Sequence, residues 1–294
     1  EFVIRSRTML QKAFFYLKVS RPGLWFAALW LYLLPTSQSA EVWESSVFWL
    51  GFAYCCFPLN FLVYGWNDIV DRKTDVLNPR KDSFWFGARG SAEQLEQLWK
   101  PIALTQLIFI APLLYIGGWK IGVLFLGFIL INGLYNLPKH GLRSRPPLEL
   151  LCQIGYLLVA PLSMLINDTD IISLTTYAYL FLFAMQSHLM GEVMDIDPDR
   201  LAKRRTTATM LGRVKTKLLI MGIVVLEVLL LFVVYEDYIF GGMLLMGFIW
   251  LIIDLFFLFK SQTYTLGQMK LFAFGSNVLA VASMIYVWVT GVLM

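Results

Sequence analysis

Nine long apolar runs divide the chain, at roughly 22–40, 46–66, 99–118, 120–138, 147–166, 171–191, 216–235, 238–259 and 271–293. Each is close to the about 20 residues that carry a helix across a bilayer. In lipid the backbone must satisfy its own hydrogen bonds, which leaves helices or closed β-barrels. A barrel would alternate apolar and polar positions over segments of about ten residues. These runs are continuous, so the pattern predicts helices. Two further stretches are amphipathic. In residues 8–20, Met9, Leu10, Ala13, Phe14 and Leu17 form one helical stripe flanked by basic residues, which suits a helix lying on a membrane surface. Ser91 with Gln94 three positions later is a capping-box pattern, and Leu95 and Leu98 follow, which predicts a short helix over 91–99. The expected organisation is an interfacial helix in 1–21 and one all-α polytopic membrane domain in 22–294, with nine transmembrane helices around a central cavity.

Composition agrees with the pattern. Of 294 residues 58% are hydrophobic and 15% charged, against about 25% charged in a soluble domain. This argues against a soluble enzyme, a nucleic-acid binder and a disordered tail; no nucleic-acid partner is expected and no obligate protein partner is implied. Cys55, Cys56 and Cys152 lie inside apolar runs, which disfavours a disulfide framework. The opening residues Glu1-Phe2-Val3-Ile4-Arg5 read as a trimmed or added terminus. The net charge of +4 says little, but its distribution says more. Twenty-two of the 24 Lys and Arg residues fall before the first run and in every second connection after it. The other connections carry Glu41, Glu44, Asp168, Asp170, Glu236 and Asp237. The positive-inside rule then expects an integral, multi-pass protein with a cytoplasmic N-terminus and basic face.

That basic face also holds two carboxylate clusters. The second run ends in Asn67-Asp68-Ile69-Val70-Asp71-Arg72-Lys73-Thr74-Asp75, and the sixth in Glu192-Val193-Met194-Asp195-Ile196-Asp197-Pro198-Asp199. Helical spacing puts Asn67, Asp71 and Asp75 on one face, with Asp68 beside them, and Asp195 and Asp199 on another. Pro198 is expected to loosen the second helix and help aim Asp199 inward. Like charges so spaced repel, so stability alone does not gather them. An all-oxygen set of Asn67, Asp68, Asp71, Asp75, Asp195 and Asp199 suits a hard divalent cation, and Mg2+ prefers one or two carboxylates plus substrate phosphates. Arg72, Lys73, Arg80, Arg200 and Lys203 lie beside the clusters, where they would neutralise phosphate oxygens.

Polar residues within the runs are candidates by default, because charge at mid-membrane costs a few kcal/mol. His188, Glu192, Asp195 and Asp199 share one helical stripe; Glu192 is expected to extend the metal cluster or to act as a base, and His188 is a second candidate. Asn60 and Tyr64 precede Asn67 on its face and are expected to line the cavity. Glu227 and Asp254 lie deep in the seventh and eighth runs, either as protonated packing groups or as partners of one another, of a basic group or of a substrate cation.

At these residues the chain resembles the UbiA superfamily of intramembrane prenyltransferases. The family's NDxxDxxxD motif is matched at Asn67, Asp68, Asp71 and Asp75, and its DxxxD motif at Asp195 and Asp199. Its YxxxK element is matched by Tyr135 and Lys139. Ser20-Arg21-Pro22, Asn78-Pro79-Arg80 and Gly212 are also similar to it. The resemblance implies nine helices, a cytoplasmic N-terminus and Mg2+ held by the Asp motifs. It implies an allylic isoprenyl diphosphate held through loop Arg and Lys residues, among them Arg21 and Lys139. Ionisation of that donor and transfer of its prenyl group to a lipophilic acceptor follow, with Asp68, Asp71, Asp195 and Asp199 as the catalytic set. The stretches Asp195–Gly212 and Asn78–Arg89 resemble the carotenoid-elongating, lycopene elongase type more weakly. Carotenoid, isoprenoid and aromatic acceptors all stay open, as does a UbiA-type terpene cyclase, which needs no acceptor. A transporter is disfavoured because the carboxylates sit at helix ends on one side, whereas transporter sites lie near the midplane.

Overall fold

A computed structural model describes residues 2–72, 75, 78, 80–137 and 141–294. Apart from one bridge between Ser83 and Gly87, its regular elements are helical. They run α1 (Phe2–Val19), α2 (Trp25–Leu33), α3 (Ser46–Cys56), α4 (Pro58–Asp71), α5 (Ala92–Glu96), α6 (Trp99–Asn136), α7 (Leu148–Leu151), α8 (Ile154–Leu157), α9 (Val159–Asn167), α10 (Leu174–Leu201), α11 (Thr207–Val233), α12 (Tyr238–Ile253) and α13 (Leu266–Thr290). Among the described residues, six helical stretches are long and apolar enough to cross a membrane: Ser46–Asp71, Ala92–Asn136, Leu148–Asn167, Thr207–Val233, Tyr238–Leu258 and Leu266–Thr290.

The departures from the sequence pattern have local causes. The runs at 99–118 and 120–138 join as α6, bent at Gly118, whose φ of 64° and ψ of −159° interrupt the helical backbone. The first run is short in α-helix, since 3-10 turns at Pro22–Leu24 and Leu34–Thr36 flank α2. The run at 147–166 is divided into α7, α8 and α9. α3 and α4 meet at Pro58, which removes a backbone donor. Asn60 Nδ2 bridges this break by donating to the carbonyls of Cys55 (2.7 Å) and Cys56 (2.9 Å). The capping box forms as the spacing predicts, with Ser91 and Gln94 reciprocally bonded at the start of α5.

Packing supplies an aromatic core that includes Trp30, Tyr32, Phe48, Tyr54, Phe125, Tyr179 and Phe240. A second core, including Leu189, Val193, Ile220 and Val224, joins α10 to α11, and a third includes Val19, Phe61, Ile69 and Leu98. Outside these cores the surface stays apolar. Leu107, Trp119 and Phe257 are each more than 60% exposed, an arrangement that suits lipid as solvent. Met9, Leu10 and Phe14 of α1 are exposed in the same way. Of the deep carboxylates, Asp254 is neutralised: Lys217 Nζ lies 2.6 Å from its Oδ2, and Tyr264 donates to the same oxygen at 2.6 Å. Lys217 is wholly buried rather than part of a loop surface. Glu227, also buried, accepts from Gln186 Nε2 at 3.4 Å.

Candidate active site

The ends of α4 and α10 meet. Asp68 and Asp71 occupy the last turn of α4 and are almost fully buried. α4 stops at Asp71, so Asp75 reaches the site from the following segment and not from a third helical turn. α10 continues through Pro198 to Leu201, which keeps Asp195 and Asp199 one turn apart on a regular helix. The expected loosening at Pro198 does not occur; the helix ends within one turn of it, so few backbone bonds are at stake.

Cations from four parts of the chain converge on these carboxylates. Asp68 Oδ1 takes Arg21 Nη2 at 2.8 Å and Lys81 Nζ at 2.6 Å. Lys81 Nζ also lies 2.8 Å from Asp75 Oδ2. Asp71 pairs with Arg143 through Oδ1 and with Arg204 Nη1 at 3.2 Å through Oδ2. Arg204 Nη1 lies 3.8 Å from Asp199 Oδ1, so one guanidinium spans both motifs. Asp195 pairs with Arg80 and accepts from Asn78 Nδ2 at 3.0 Å. A polar pocket opens at this junction, lined by Arg21, Asn67, Asp71, Asp75, Asn78, Arg80, Lys81, Phe86, Asp195, Pro198, Asp199 and Arg204. Arg21 also lies over the Tyr64 ring, 4.5 Å from its centroid, and Tyr64 shares a hydrogen bond of 3.2 Å with Tyr156.

Two carboxyls here resist ionisation. Burial first, and then the neighbouring carboxylates, push Asp199 up to about 7, although Arg204 opposes the shift. Burial likewise raises Asp75 to about 6, opposed by Lys81 and reinforced by Asp68 and Asp71. Asp197, one position before Pro198, goes the other way: a hydrogen bond from Arg213 is the main reason its carboxyl is held down. Asp68 Oδ2 is buried without a hydrogen-bond partner among the described residues. An oxygen-only donor set with an unsatisfied buried oxygen fits a hard divalent cation. Among the described residues no three Asp, Glu, His or Cys side chains form a ready cage. Each carboxylate of the two motifs has a cationic partner instead, and Mg2+ needs few protein ligands when substrate phosphates supply the rest.

Several expected residues stand elsewhere. Arg72 turns away to Glu96, 3.0 Å distant. Arg200 and Lys203 are exposed. Asn60 serves the α3–α4 junction and not the pocket. Glu192 does not line the pocket: its Oε2 accepts from Ala208 N at 3.0 Å and its Oε1 lies 3.3 Å from His188 Nε2. These contacts compete with a role as metal ligand or base. His188 packs edge-on against Tyr135, whose ring lies within electrostatic reach of Arg204, Asp71 and Arg143. Lys73, Pro79 and Lys139 lie outside the described residues. In the sequence Lys81, Arg143 and Arg204 are simply members of basic loops, and Glu149 belongs to no motif. Nothing in a spacing rule separates a cation that folds inward from one that stays solvated.

The family model described as "UbiA prenyltransferase family" matches residues 24–278. A lycopene elongase/hydratase of Corynebacterium glutamicum is 27% identical over 207 residues, covering 69% of this chain and 71% of the relative. One from Halobacterium salinarum is 31% identical over 198 residues, covering 66% and 70%. Among solved structures, a UbiA homolog from Archaeoglobus fulgidus bound to DMAPP and Mg2+ superposes with a TM-score of 0.69 at 15% identity, covering 92% of this chain and 97% of that one.

Proposed function

The chain belongs to the UbiA prenyltransferase family, and on that premise we propose that it is a Mg2+-dependent intramembrane enzyme that transfers the prenyl group of an allylic isoprenyl diphosphate to a lipophilic acceptor. The observation that carries the reading is the meeting of two helix-end Asp motifs in one pocket edged by Arg21, Arg80, Lys81 and Arg204. The DMAPP and Mg2+ of the Archaeoglobus fulgidus structure support the donor and the metal, and the lycopene elongase/hydratase relatives favour a long polyene as acceptor. The nine-span topology, with the N-terminus and the pocket on the cytoplasmic side, belongs to the same proposal and rests on the placement of the cations.

Asn67, Asp68, Asp71, Asp75, Asp195 and Asp199 would hold the metal, and Asp68 also fixes Arg21 and Lys81 through its other oxygen. Bound there, Mg2+ would draw charge from the diphosphate oxygens and stabilise diphosphate as a leaving group. The preplaced guanidiniums act on the same developing charge. The allylic C1–O bond breaks with its electron pair leaving on diphosphate, and charge that water would otherwise have to reorganise around meets fixed cations. A π bond of the acceptor then supplies the electrons of the new C–C bond, and the adduct loses a proton to the released diphosphate. The apolar helices beneath the pocket exclude water from the cation.

The test is incubation of the purified protein with Mg2+ and DMAPP, with and without a polyene acceptor, followed by diphosphate release and mass spectrometry of the lipid extract. The expected result is acceptor-dependent gain of whole C5 units. Cyclised or eliminated hydrocarbon from a longer donor without acceptor would replace transfer by cyclase chemistry. No Mg2+-dependent diphosphate release from any donor would overturn the reading.

A further inference from the structure

We propose that Glu149 is a positioning residue that, with Glu192, clamps the start of α11 so that Arg204 bridges the two Asp motifs. The proposal rests on the prenyltransferase reading above. Glu149 is fully buried on α7, and its Oε1 accepts from Thr207 N and from Thr207 Oγ1, both at 2.6 Å. Glu192, from α10, accepts from Ala208 N at 3.0 Å. Thr206 Oγ1 takes Thr209 N at 3.2 Å. The first three N–H groups of α11 are therefore satisfied by side chains from three separate elements. A single cap residue is the ordinary solution at a helix start. Burying two carboxylates there costs solvation, offset by the N–H groups and the helix dipole, so the arrangement calls for a purpose beyond ending a helix.

The neighbouring chain supplies one. α10 and α11 are joined by only Ala202–Thr206, and Arg204 lies in the middle of this link. Its upstream side is tied to α10, where Arg204 N donates to Asp199 O at 2.8 Å and Lys203 adopts a left-handed φ of 56°. Its downstream side is held by the Glu149–Glu192 clamp. Fixing both ends of so short a link leaves the Arg204 side chain one approach, between Asp71 and Asp199. Its Nε is buried with no hydrogen-bond partner among the described residues, a donor left for a diphosphate oxygen. Arg143 lies on the segment leading into α7 and reaches Asp71, so one stretch of chain both supplies a cation and anchors the helix that places another.

The test is calorimetric titration of the full-length protein with inorganic diphosphate in Mg2+, alongside the KM for DMAPP. Glu149→Ala is expected to weaken diphosphate binding roughly tenfold and to raise KM in step. Arg204→Ala is expected to do the same, and Glu149→Ala added to it to do no more. Thr207→Val is expected to weaken binding part of the way and Thr207→Ser to restore it, which keeps the test intact should Glu149→Ala fail to fold. Wild-type affinity in Thr207→Val, or losses from Glu149 and Arg204 that multiply, would reduce the clamp to a structural cap and overturn the proposal. Wild-type protein that binds no diphosphate would overturn the underlying reading, whatever the clamp does.

Discussion

Single residues decide whether this pocket is a site or only a charged surface. Asp71 and Asp199 face one another through Arg204. Asp71→Asn and Asp199→Asn should each lower diphosphate release roughly 100-fold or more, with thermal unfolding near that of the wild type as the check on folding. Asp75 and Asp199 hold their protons to about 6 and about 7 because burial and like charges disfavour their anions. Both native values lie above the unfolded carboxylate range, so ionisation of these groups opposes folding as pH rises towards them. A metal must displace the same protons. Apparent Mg2+ affinity should therefore fall about tenfold or more between about pH 7.5 and pH 6, read by titrating Mg2+ against diphosphate binding. Affinity independent of pH would show that neither carboxyl releases a proton to the metal.

At the scale of helices, two features carry predictions. α11 kinks at Gly212, whose φ of 78° and ψ of 166° lie in a region open to glycine almost alone. A Cβ there would meet nothing within 4 Å, so Gly212→Ala should cost about 1–3 kcal/mol from backbone strain alone, seen as a lower Tm in detergent. The Lys217–Asp254 pair joins α11 to the single π-helical turn Asp254–Leu258 that follows α12. Removing one partner strands a buried charge, so Lys217→Met should destabilise by about 3–5 kcal/mol. Lys217→Met with Asp254→Leu should recover much of that loss in the same assay. In the sequence Lys217 stands at the edge of a basic cluster with Arg213 and Lys215, and nothing local separates it from a loop cation. Its burial, its pairing with Asp254 and the Tyr264 ring 4.7 Å from its ammonium place the residue in the interior.

The molecule as a whole is an apolar helical body with its chemistry gathered at one end. Exposed side chains such as Trp119 and Phe257 make sense only against lipid. The placement of cations predicts that the pocket opens to the cytoplasm. Single cysteines introduced at the exposed positions Arg205 and Asp168, in a background lacking Cys55, Cys56 and Cys152, should label from opposite sides of sealed vesicles. Labelling from one side would end the proposed topology.

Hydropathy and motif spacing are enough to read a helical membrane body and the two Asp motifs at its helix ends. These depend on local rules: a span needs about 20 apolar residues, and helix geometry sets which neighbours share a face. What the linear order could not decide is which charges meet. Arg143 is 72 residues from Asp71, and Arg204 is 133 from it, yet both pair with that carboxylate. Asp75 belongs to the site although the helix that should have carried it ends at Asp71. Arg72, next in sequence to the motif, faces Glu96 instead. Partner choice among charges follows from burial and approach direction, and those exist only once the helices have packed.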